Sequence, residues 1–99
     1  MSDKTPAGSA RIIKTKRVEH LVTADDDFNT GFHLDAVWDT PFQDLNYTSD
    51  QNIEVVPPAD VNNYFIDGFS RTVDKITVGI GGVGTPGDVI VLHAHAIRD

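Results

Sequence analysis

The chain has no cysteine among its 99 residues, which removes disulfide staples, thiolate nucleophiles and zinc–sulfur sites together. Cysteine usage therefore leaves every redox compartment open. No apolar run reaches the roughly 18 residues that a spanning helix needs, and no apolar leader core follows the N-terminus. Neither a membrane span nor a signal peptide is expected. Basic residues are scarce, eight against fifteen acidic ones for a net charge of −7, which argues against nucleic acid as a partner. Helical periodicity is missing too: no stretch repeats apolar residues at i, i+3, i+4 and i+7. What is present is a hydrophobic fraction of 39%, low for a globular chain but above the disordered class. That is enough for one small domain with one core.

The charge is unevenly spread. Residues 1–17 carry Lys4, Arg11, Lys14, Lys16 and Arg17 against Asp3 alone. The rest carries three basic residues against fourteen acidic ones. A basic segment on an acidic body suits docking onto an acidic surface, such as that of a neighbouring copy. The plain alternative is a solvating tail. Residues 1–10, with Pro6, Gly8 and two serines, have no periodicity and read as an extended arm. Residues 11–99 read as one domain.

Within that domain the period is two. Arg11 to Val22 alternates as a long strand, apolar at its ends and charged in the middle. Thr23 to Gly31 is a loop of turn formers. Phe32 to Asp39 places Phe32, Leu34, Ala36 and Trp38 on one face, and Thr40-Pro41 ends it. Phe42 is expected to tuck beneath that corner. Leu45 to Val56 resumes on Tyr47, Ile53 and Val55, with Asp50-Gln51-Asn52 either a turn or a bulge. Tyr64 to Phe69 is a short strand whose Gly68 marks a bulge. Ser70 to Lys75 reads as a turn. Ile76, Val78 and Ile80 lead into a glycine-rich hairpin, Gly79 to Gly87, and then a terminal strand. Six or so antiparallel strands make an all-β sandwich.

The terminal strand, Asp88 to Asp99, holds the main functional signal. One face carries Ile90, Leu92, Ala94 and Ala96. The other carries Val89, Val91, His93, His95 and Ile97, where a half-exposed strand should be polar. A small chain has one core only, so this second face is the expected subunit interface. His93 and His95 point the same way. Two imidazoles are too few for a closed metal site, although three copies around a threefold axis would offer six nitrogens, enough for an octahedral transition metal. The plain reading is that both are neutral, hydrogen-bonded residues at a subunit contact or on the surface, with no resident metal.

Other candidates are weaker. Asp25, Asp27 and Asn29 match the first ligands of a calcium loop, but Gly31 falls one place late and Ala36 stands where the loop's glutamate belongs. The stretch from Gly79 to Gly87 lacks the lysine and following helix of a phosphate loop. No serine sits at a nucleophile elbow, so no enzyme and no cofactor are expected. Trp38, Tyr47 and Tyr64 would stack on sugars if exposed, but their spacing fits core positions better.

Val37 to Thr48 (V-W-D-T-P-F-Q-D-L-N-Y-T) and the closing G-D-V-I-V-L-H-A-H-A-I-R-D resemble small β-sandwich structural proteins of tailed bacteriophages. The strand order resembles the H-type lectin sandwich, which assembles as trimers. No lectin sugar-binding motif has a counterpart here. The resemblance implies a virion role at the capsid surface: a decoration, or cement, protein that forms homotrimers and binds the major capsid protein or other virion proteins through its arm and subunit seams. The alternative it implies is a carbohydrate- or receptor-binding module of a fibre or tail tip. The chain begins with its own Met1 and has no coiled-coil or repeat region, so decoration is expected over a fibre shaft.

Overall fold

A computed structural model describes residues 11–29, 31–56 and 63–99. Six strands cover most of them: β1 (Ile12–Leu21), β2 (Phe32–Val37), β3 (Thr48–Val56), β4 (Tyr64–Arg71), β5 (Lys75–Gly82) and β6 (Val89–Arg98). All pairings are antiparallel, in two three-stranded sheets ordered β1–β6–β3 and β2–β5–β4. The protein is an all-β sandwich, and no α-helix forms among the described residues. The expected arm, residues 1–10, lies outside them.

The alternations place the core. In β2, Leu34 and Ala36 point inward, followed by Trp38 just beyond the strand, while His33, Asp35 and Val37 are exposed. Ile76, Val78 and Ile80 of β5 face Ile90, Leu92, Ala94 and Ala96 of β6 across the sandwich, all of them buried. An aromatic cluster packs at each end of this core. Phe42 stacks on Tyr47 at 4.1 Å with Trp38 edge-on at 5.9 Å from Phe42. At the other end Phe28 meets Phe32 at 4.6 Å and Tyr64 at 5.5 Å. Phe42 tucks under its corner as expected, donating its N–H to the Val73 carbonyl.

Three sequence expectations are corrected. Gly79 to Gly87 is not a hairpin, because β5 and β6 are the central strands of opposite sheets. Each has a strongly apolar inner face and needs cover from the other sheet, so residues 83–88 cross the gap of about 10 Å between stacked sheets. Gly82 starts that crossing at φ +133°, and a Cβ there would lie 1.8 Å from the Asn63 carbonyl oxygen. Asp50-Gln51-Asn52 is neither turn nor bulge; it pairs in unbroken register with His95, Ala94 and His93. The turn expected from Ser70 is shorter, since β4 runs to Arg71 and closes when the Thr72 N–H reaches the Lys75 carbonyl. The expected bulge at Gly68 is present, between Ile66 and Gly68.

Strand β1 is an edge, and its inward positions 14 and 16 are lysines. Lys14 reaches over the Phe42 ring, 5.0 Å from its centroid, to the Thr40 hydroxyl, and Lys16 pairs with Asp39 at 2.9 Å. Inward charge on an edge strand resists addition of another strand.

Candidate functional site at the outer face of the β1–β6–β3 sheet

The long, regular strands of this sheet arrange its outward residues in rows. Leu21–Val89–Val56 forms one end, followed by Glu19–Val91–Glu54, Arg17–His93–Asn52, Thr15–His95–Asp50 and Ile13–Ile97–Thr48. Opposed residues in antiparallel strands sit about 5 Å apart, so each row is a contact set. The five interface candidates, Val89, Val91, His93, His95 and Ile97, all fall on the central strand of this one face.

They are not equally available. Val91 is only 1% exposed, because it stands mid-strand between Glu19 and Glu54. Its surface is already spent inside the protomer. The open apolar surface lies beside Val89, on Leu21 (57% exposed) and Val56 (46% exposed). Those two neighbours escaped the sequence reading because they belong to other strands. The terminal position of each in its own alternation was the available signal.

The middle of the face is polar. A shallow depression of about 450 Å³ is lined by Thr15, Arg17, Asp50, Asn52, His93 and His95. His93 Nε2 lies 2.8 Å from Glu54 Oε1, and Arg17 pairs with Glu19 on its own strand. No described serine or threonine hydroxyl is hydrogen-bonded to either imidazole. No group of three or more metal-ligating side chains occurs among the described residues. His93 and His95 do share a face, as their spacing requires, and one protomer supplies only those two imidazoles there.

The basic residues at 11–17 are built into the sandwich edge. Arg11 pairs with Asp99 at 3.0 Å, Lys16 with Asp39 and Arg17 with Glu19. These are exposed pairs, each worth little alone. Lys16 holds the Asp39 carboxyl below the usual carboxylate range. Lys4 lies outside the described residues.

The calcium-like turn is organised differently from a calcium loop. Asp26, which is not among the matching positions, accepts the Thr23 N–H and pairs with His20 at 2.7 Å. The first of those contacts, then the second, depress its carboxyl. Trp38, Tyr47 and Tyr64 are buried core residues, at 4% exposure or less, so they offer no sugar platform. The exposed aromatics are Phe65 and Phe69. No protein-family model, no curated protein and no solved structure matches the chain.

Proposed function

We propose that this protein is a non-enzymatic structural module that assembles with copies of itself, in the role of a capsid decoration protein. The observation that carries the reading is the Leu21–Val89–Val56 row, three apolar side chains abreast on the outer face of a sheet whose inner face already fills the core. Exposed apolar rows rimmed by polar residues mark protein contacts. Burying them in a subunit seam yields about 25 cal/mol per Å² before the costs of association. The sequence resemblance supplies the virion setting, and repetition over a lattice would add avidity.

Light scattering on the full chain tests the assembly. The expected result is a trimer that becomes monomeric in the Leu21→Asp, Val56→Asp double variant with an unchanged circular dichroism spectrum. A wild-type chain that stays monomeric at high concentration overturns the reading. Copy number per particle then tests the setting: hundreds of copies support decoration, and a handful place the protein at a tail or fibre.

A further inference from the structure

Each sheet has two edge strands, and three of the four are blunted against an added chain. Strand β1 turns Lys14 and Lys16 inward, β2 is the shortest at six residues, and β4 is broken by the bulge at 66–68. Inward charges, short strands and bulges are the common defences of a free sheet edge. Strand β3 has none of them.

Thr48–Val56 runs for nine residues in unbroken register against β6, with no proline, glycine, lysine or arginine. Its other side meets no strand, and among the described residues no backbone hydrogen bond from a turn or loop reaches it. Alternate residues along that side therefore present N–H and C=O groups open to pairing. The inward side chains are Ser49, Gln51, Ile53 and Val55, all uncharged. The Gln51 side-chain oxygen has no hydrogen-bond partner.

The two faces of that edge favour different side chains. Outward, Asp50 and Glu54 stand on either side of Asn52, with no basic residue on the strand. Asp50 makes no ion pair among the described residues, and Glu54 holds His93 through one oxygen. Inward, β4 lies across from β3, and Phe69 pairs with the buried Val78, which places it on the core side. Phe69 is nevertheless 52% exposed, so the flank of the sandwich is open and apolar there. Facing residues on paired strands attract when oppositely charged and repel when alike.

We propose that β3 accepts an extended basic segment of another protein as a fourth strand of its sheet. The added strand pairs its backbone with the free edge, sets cations four residues apart against Asp50 and Glu54, and turns β-branched residues inward beside Phe69. The net charge of −7 draws such a segment in. A second copy fits less well. Its own β3, paired antiparallel over the full length, would set Asp50 against Glu54 twice, and its other edges are defended. The edge shares only Val56 with the Leu21–Val89–Val56 row and does not depend on the assembly reading.

The probe is an acetylated, amidated peptide, Thr-Lys-Val-Thr-Val-Lys-Thr, titrated into the isotopically labelled full-length protein and followed by NMR. The expected result is amide shifts along Thr48–Val56 and slower hydrogen exchange at its edge. Methylating one alternate set of peptide nitrogens abolishes binding and methylating the other set does not, because only one set faces β3. Asp50→Lys with Glu54→Lys, both at exposed positions, weakens the lysine peptide by about tenfold or more and admits its glutamate counterpart. Gln51→Lys gives β3 the inward charge that β1 carries and blocks both peptides. Leu21→Asp, on the opposite edge strand, binds like the wild type. The proposal fails if no shift occurs along β3, or if the charge-reversed variant still prefers lysine. It fails equally if both methylated peptides bind like the parent, since charge alone would then be the attraction. Slower exchange at β3 with rising protein concentration and no peptide also overturns it, because a second copy would then hold the edge.

Discussion

Tyr64→Phe is the substitution from which most can be learned about how the sandwich is closed. The Tyr64 side chain is buried at the start of β4. Its hydroxyl donates to Asp88 Oδ2 at 2.9 Å and accepts the Thr85 N–H at 2.9 Å. Asp88 is the buried charged residue of the described chain, and its carbonyl accepts the Val22 N–H. One hydroxyl therefore links β4, the crossing segment before β6, and the end of β1. Thr85 is exposed, so water can replace its partner there. Asp88 has no such substitute. Losing a hydrogen bond to a buried carboxylate costs about 1.5–3 kcal/mol. At about 4–8 °C per kcal/mol for a domain of this size, a loss of about 2 kcal/mol lowers the midpoint by about 8–16 °C.

The assay is urea unfolding followed by the fluorescence of Trp38, the sole tryptophan, which is buried. The midpoint should fall with the slope unchanged. In an Asp88→Asn background the same substitution should cost at least about 0.5 kcal/mol less. Alkaline pH gives an independent arm. Burial, then the nearby Asp88, raises the Tyr64 pKa above the ordinary value. The folded protein keeps a proton that the unfolded chain gives up near about pH 10. The resulting stability is complete below that pH and is lost as pH rises through the higher folded value. Tyr64→Phe should therefore flatten the alkaline limb. A variant within about 0.5 kcal/mol of the wild type, with that limb unchanged, would refute the reasoning.

Two further outcomes follow from the surface. Asp26, Asp35, Asp39 and Asp44 are all held below the usual carboxylate range, chiefly by the Thr23 N–H, Thr77, Lys16 and Arg98 respectively. Their contribution is present above an unfolded pKa of about 3.9 and is lost as pH falls through the lower folded values. Thermal midpoints should thus drop below about pH 4, less steeply in Asp44→Asn; equal slopes would remove the Asp44–Arg98 pair from the account. Replacing both Lys14 and Lys16 with valine should expose β1 to strand addition. Light scattering should then show species larger than the wild type, and unchanged size would mean the lysines do not guard that edge.

The sequence by itself determined the architecture at the level of strands. Period-two alternation survives in β2 and β6 because in each one apolar face must meet the core, whereas β1 alternates at an edge with lysines on its inward side, and the turn formers at 23–31 and 40–41 mark where pairing stops. It also determined that His93 and His95 share a face, which is a consequence of strand geometry alone. What it could not decide was which strands are neighbours. Local spacing made the glycine-rich stretch look like a hairpin, while burial demanded that β5 and β6 face each other from opposite sheets. Strand pairing then set the contents of each outer face, between distant segments in the β1–β6–β3 sheet and within the β4–β5 hairpin of the other. Leu21 and Val56 met Val89, Val91 was covered, and Phe65 and Asp67 came to lie over Gly81 and Gly79. The juxtapositions on the β1–β6–β3 sheet arise from register between distant segments, and register is fixed only when two sheets bury their apolar faces together.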